Sequence, residues 1–90
     1  MNLDDVLRIV KQDLMIKSDV RDDYLKTIIK SCESELNGKG VRINNTVEDT
    51  LLLADYSAFR YRHRTDDVPV PQNIQLRIQN KKLWGRLYND

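Results

Sequence analysis

Cysteine is nearly missing from this sequence. The lone Cys32 can close no disulfide within the chain, and it could hold a metal only with a cluster of ligands around it. A reducing compartment and no metal or other cofactor are the expectations. Net charge is nearly missing too: 15 Lys and Arg against 14 Asp and Glu leave a formal +1. No global field draws such a chain onto nucleic acid or an anionic membrane, so electrostatic specificity must be local. No apolar run is long enough to span a bilayer, and the start, with Asn2, Asp4 and Asp5, lacks the cationic and then apolar pattern of a signal peptide. A cytoplasmic protein without membrane contact is expected. Strict apolar and polar alternation is absent over any useful length, which argues against strands. Gly38 and Gly40 bracket Lys39, but a phosphate cradle needs wider glycine spacing and a Lys-Ser/Thr pair opening a helix. Paired acid and base, nucleophile and cofactor fingerprint are all missing, so no enzyme is expected.

What is present is helical period. At 90 residues, 40% hydrophobic and 32% charged, the chain suits one small domain with a thin core, whose modest stability oligomerisation would supplement. The spacing predicts a first helix over 2–13, capped by Asn2 and carrying Leu3, Val6, Leu7 and Val10 on one face. Leu14, Met15 and Ile16 read as an apolar connector tucked into the core. A second helix is predicted from Ser18 or Asp19 to Asn37 and Gly38, with Leu25, Ile28, Ile29, Cys32 and Leu36 as its stripe. Cys32 falls in that stripe as a small hydrophobe, not a reactive thiol.

A glycine loop follows, with Val41 and Ile43 offering a little extended structure. Thr46 to Asp49 resemble a capping box with Asp in the place of Glu or Gln, and open a third helix. Its apolar residues Leu51, Leu52, Leu53, Ala54, Ala58 and Phe59 lie on more than one face, marking the hub of the core. Pro69 and Pro71 make the next loop rigid. A fourth helix is predicted from Gln72 to about Trp84, with Ile74, Leu76, Ile78 and Leu83 facing inward and Gly85 ending or bending it. The fold expected is all-α: a small bundle of about four helices with a Gly-rich and a Pro-containing loop.

Two groups of residues are candidates for function. Arg60, Tyr61, Arg62, His63 and Arg64 crowd the end of the third helix, where cations also suit the helix dipole. They read either as a solvated helix end or as a contact with acids such as Asp4, Asp5, Asp22 and Asp23 of a neighbouring subunit, or as a lining beside DNA. His63 has no second His, Cys or carboxylate at ligand spacing on its helix and no serine beside it, so neither metal nor nucleophile is expected there. Trp84, Leu87 and Tyr88 give the C-terminal segment more apolar bulk than an idle terminus needs, and read either as core residues or as an exposed segment.

Leu51-Leu52-Leu53-Ala54-Asp55-Tyr56, then Phe59-Arg60-Tyr61-Arg62, an acidic spacer, Val70-Pro71 and a closing Gln75-Leu76-Arg77 together resemble the tailed-phage head-tail connector family, also called the QLRG or putative DNA-packaging family. The likeness runs over 50–83, with Ile78 where the family's run carries glycine; the first half matches in helix order and length. The resemblance implies a small helical bundle with no catalytic activity. It implies an adaptor forming a homo-oligomeric ring, dodecameric like the portal it meets, that contacts head-closure or tail proteins and, transiently, the passing double-stranded DNA. Its place would be the host cytoplasm during assembly and then the head-tail junction of the virion. Arg60, Tyr61, Arg62, Arg64, Asp22 and Asp23 become candidates for the subunit interface, and Trp84, Leu87 and Tyr88 for docking on the portal. The competing reading is a small helix-turn-helix DNA-binding regulator, suggested by short helices and the Arg60 to Arg64 cluster. It requires two helices on a turn of three to four residues.

Overall fold

In the computed structural model, which describes residues 2–88 and their side chains as far as Gly85, the chain forms four helices and, among the described residues, no strand: α1 Leu3–Leu14, α2 Asp22–Gly38, α3 Val47–Arg62 and α4 Gln72–Tyr88. It is a small all-α bundle. Local chemistry sets the helix starts. The Asn2 side chain accepts from the Asp4 backbone N–H at 2.9 Å, and Thr46 Oγ1 accepts from the Asp49 N–H at 3.1 Å, each satisfying a donor that a helix start leaves open. Only half of the expected capping box forms. Asp49 does not reach back to Thr46; its carboxylate accepts instead from the Asn44 N–H at 2.7 Å.

The helix ends follow one design used twice. At the end of α2, Val41 N–H bonds to the Leu36 carbonyl at 2.9 Å and Gly40 N–H to that of Asn37 at 3.1 Å. Gly40 itself sits at a φ of 87°. This is the paired-bond stop that requires a left-handed residue, with apolar residues flanking it, here Leu36 and Val41, both fully buried. Gly40, not Gly38, therefore reverses the chain. At the end of α1, Ile16 N–H reaches Lys11 O at 2.9 Å and Met15 N–H reaches Gln12 O at 3.2 Å. The left-handed position there is Met15, at φ 59°. The turn aims the Met15 side chain at solvent, 85% exposed, while Leu14 and Ile16 pack against the core. The expected apolar connector is thus buried at its two ends and open in the middle. α2 begins at Asp22, later than expected, because residues 18–21 form a turn in which Ser18 Oγ accepts from Val20 N–H at 3.1 Å.

α3 is the hub. It packs against α1, α2 and α4, whereas α4 packs its backbone on α3 and, among the described residues, on no other helix. Leu52, Leu53, Ala54, Tyr56, Ala58 and Phe59 of α3 are buried, and meet Val6 and Val10 of α1 and Leu25, Ile29, Cys32 and Leu36 of α2. Val41 and Ile43 join them from the loop as irregular backbone, not as strand. Leu51, expected in the core, is 41% exposed. The principal extents, 43 × 29 × 18 Å, make a plate about two helices thick, given helix diameters of about 10 Å.

α4 departs most from expectation. Ile74 and Ile78 are buried, but Leu76 and Leu83, expected to face inward with them, are 50% and 55% exposed. Residues two apart on a helix point to opposite sides, so Ile74 and Ile78 cannot share a face with Leu76. The helix also runs through Gly85 to Tyr88. Two ion pairs hold it to α3: Arg77 Nη1 lies 2.7 Å from Asp55 Oδ2, and Lys81 Nζ lies 2.6 Å from Asp49 Oδ1.

Candidate functional site

The basic end of α3 looks from the sequence like a free patch of cations, and the structure partners it within the chain, Arg60 and Arg62 with residues far away in sequence and His63 and Arg64 with Asp66 and Tyr61 close by. Arg60 Nη2 donates to Glu35 Oε1 at 2.6 Å and to the Tyr56 hydroxyl at 2.7 Å. Tyr56, fully buried, donates its own proton to Glu35. The three side chains tie α2 to α3. Burial pushes the Glu35 carboxyl up, but hydrogen bonds from Tyr56 and Arg60 and the charges of Arg60 and Lys39 outweigh it and leave the group below its ordinary range. Burial, followed by the bond to Glu35, pushes the Tyr56 phenol up to about 12.

Arg62 reaches α1, with Nη1 3.3 Å from the Asp13 carboxylate and Nη2 donating to the Asp13 carbonyl at 2.9 Å. Arg64 folds over the Tyr61 ring at 4.1 Å and donates to the Tyr61 carbonyl. Tyr61 is buried; its hydroxyl accepts from Arg21, and its ring meets Tyr24 edge-on at 6.2 Å. His63 Nδ1 stands 3.5 Å from Asp66 Oδ2, with its ring 5.0 Å from that of Phe59. The cluster thus works as a clasp binding the ends of α1, α2 and α3. The outer faces of Arg60 and Arg62, 41% and 48% exposed as side chains, remain open to solvent.

The acidic candidates divide. Asp22 lies 2.8 Å from Lys11 Nζ, in a pair that closes α1 on α2. That contact and the accompanying one to Asp19 raise the Lys11 pKa, Asp22 contributing most. Asp23 is exposed on the first turn of α2. Asp4 and Asp5 stand 3.9 Å from Lys26 and 4.0 Å from Arg8 at the solvent-facing edge of α1, contacts of little energetic weight at such exposure. Glu35, Asp13 and Arg21 are not legible in the sequence as partners of the cluster, because each lies many residues away and no local period couples them.

Cys32 is 3% exposed. Burial pushes its thiol up to about 11, with the facing Ser57 hydroxyl a smaller and opposite influence. It is a packed hydrophobe, far from the thiolate chemistry that needs exposure and nearby cations. Among the described residues no three His, Cys, Asp or Glu side chains gather in a way that could hold a metal ion, and no helix is long and apolar enough to cross a membrane.

Two apolar surfaces stand out among the described residues. One is an open groove of about 530 Å³ along the end of α1, floored by Leu7, Met15 and Ile16 and edged by Arg8, Lys11 and Asp22. The other is the outer face of α4, where Leu76, Leu83 and Trp84 are 50%, 55% and 58% exposed. The side chains of Leu87 and Tyr88 lie outside the described residues. Compared with known proteins, the chain matches no family model, no curated protein and no solved structure.

Proposed function

We propose that the chain is a structural adaptor subunit of a tailed phage or prophage, of the head-tail connector kind, which works by packing against copies of itself and against the portal vertex and catalyses no reaction. The observation that carries this reading is that α4 is apolar on two opposite sides. Ile74 and Ile78 are buried on α3 while Leu76, Leu83 and Trp84 stand outside. Apolar side chains left on the side of a helix that faces away from the body of a small domain mark a site of association. The groove on α1 adds a second such surface on another helix, and a ring of copies needs two different complementary surfaces on each subunit. The 50–83 pattern, with Gln75-Leu76-Arg77 opening α4, supplies the family to which the reading appeals.

The regulator reading is weaker on the same geometry. It needs consecutive helices on a turn of three to four residues. The connections here span 15–21, 39–46 and 63–71. The arginines it would use at the end of α3 are turned to Glu35, Asp13 and Tyr61.

Incubating the protein with the portal oligomer of the phage or prophage that carries its gene, followed by negative-stain microscopy, tests the proposal. A ring of added density at the vertex is expected. A protein that leaves the portal undecorated at every concentration, and that retards duplex DNA in a salt-dependent manner instead, would overturn it in favour of the regulator.

A further inference from the structure

The outer face of α4 carries a pattern of its own. Asn73, Leu76, Asn80, Leu83 and, by continuation in the sequence, Leu87 recur at alternating steps of three and four, the seam of a heptad in which Asn73, Asn80 and Leu87 take a positions and Leu76 and Leu83 take d positions. In the same register Ile74, Ile78 and Lys81 fall at b and f, on the side turned to α3, where Ile74 and Ile78 are buried and Lys81 meets Asp49. The body of the protein therefore covers one side of the helix and leaves the seam on the other, with Asn73, Leu76, Asn80 and Leu83 all exposed.

We infer that the seam takes the α4 of a second copy of this chain, in a parallel two-fold pair that sets Asn80 against Asn80.

The choice of occupant rests on Asn80. A polar amide in the middle of an apolar seam costs stability against an arbitrary apolar partner, because its donors and acceptor would be buried without partners. A two-fold axis along the seam removes that cost, since it brings the same amide to the same level, donor to acceptor. Such an asparagine at an a position is the device by which coiled coils fix register and number of strands. The flanks agree. In a parallel pair each g residue faces the e residue five places on, so Gln72 meets Arg77, itself bound to Asp55, and Gln79 meets Trp84. No like charges oppose each other along the contact, although α4 contains Arg77, Lys81, Lys82 and Arg86 and no acid. α3, the helix on which α4 packs, lies on the side of α4 away from the seam. The pair covers the outer face of α4 and leaves the α1 groove open, so pairing and a head-to-tail ring contact compete for that face.

The test uses the full chain alone. Sedimentation equilibrium over a rising concentration series should show the apparent mass moving from one chain towards two. Leu83→Asp, on an exposed site that leaves the helical circular dichroism intact, should hold the mass at one. Asn80→Leu should tighten association about tenfold while relaxing its register, since the buried amide is removed. Register is read by oxidising Asn80→Cys, with Gln75→Cys off the seam as the comparison and the natural chain, whose Cys32 is buried, as the blank. Disulfide-linked dimer is expected from Asn80→Cys well above the other two. A mass that stays at one chain throughout, or cross-linking no greater at Asn80→Cys than at Gln75→Cys, overturns the inference. Neither result bears on decoration of a portal, which the adaptor reading answers by itself.

Discussion

Met15 occupies a place that the other helix end gives to glycine. The turns closing α1 and α2 make the same two backbone bonds, yet one is centred on Gly40 and the other on a residue whose Cβ crowds the neighbouring carbonyl at φ 59°. The Met15 side chain is 85% exposed, so little packing offsets that strain. Met15→Gly should raise the stability by about 0.5–1 kcal/mol in urea denaturation; an unchanged or lowered midpoint would show that the strain is absorbed elsewhere. Ser57 presents a second local mismatch. It is fully buried, and its hydroxyl has no conventional hydrogen-bond partner among the described residues, facing only the weakly polar Cys32 thiol. Ser57→Ala should therefore cost under about 0.5 kcal/mol, or stabilise, where most buried substitutions cost more.

At the scale of elements, the described contacts between α4 and the body include two buried isoleucines and two ion pairs, of which the Lys81–Asp49 pair is the more deeply buried. The Asp49 side chain is 3% exposed, and Lys81 and the Asn44 N–H are its partners. Removing the carboxylate leaves the Asn44 donor and the ammonium unanswered, so Asp49→Ala should destabilise by about 3 kcal/mol. The loss should appear first in α4, as faster amide exchange over 72–88 than over α1 to α3. Uniform acceleration throughout the chain would mean that α4 unfolds only together with the bundle.

Much of this architecture was legible in the sequence. Four helices, the Asn2 and Thr46 caps, the α2 stripe and the central place of α3 follow from period and capping chemistry alone. The side on which α4 docks does not follow, because the helix carries apolar residues on two faces, Ile74 and Ile78 on one and Leu76 and Leu83 on the other, and a period marks faces without saying which is covered. The Arg60 to Arg64 cluster was visible as a concentration of charge. Its partners Glu35 and Asp13 were not, being brought there by the packing of α1 and α2 on α3. In the sequence Asp49 reads as a cap because it follows Thr46 at the right distance, and its bond to Lys81 depends on a helix that begins 23 residues later.

For the whole molecule, the Glu35–Tyr56–Arg60 group makes stability depend on pH at both ends. The Tyr56 phenol is raised from 10.0 to about 12 in the folded protein. The folded state therefore favours the neutral phenol, and the stability this contributes is complete below pH 10 and disappears between about 10 and 12. Glu35 has the opposite sign. Its carboxylate is favoured in the folded state, so its contribution is present above the ordinary 4.5 and is lost as the pH falls through the lower folded value. Thermal midpoints measured against pH should thus decline on the alkaline side from about 10 upward, and Tyr56→Phe should flatten that decline. A Tyr56→Phe curve as steep as that of the natural chain would place the alkaline sensitivity in another group.

The fastening of α4 also has a mechanical side. A tug along that helix, from whatever grips its far end, acts across Arg77–Asp55 and Lys81–Asp49 and slides Ile74 and Ile78 over α3, while the interlocked triad of α1, α2 and α3 carries almost none of the load. The arm would slip before the plate tears, and the loop at Pro69 and Pro71 would keep it leashed to the rest.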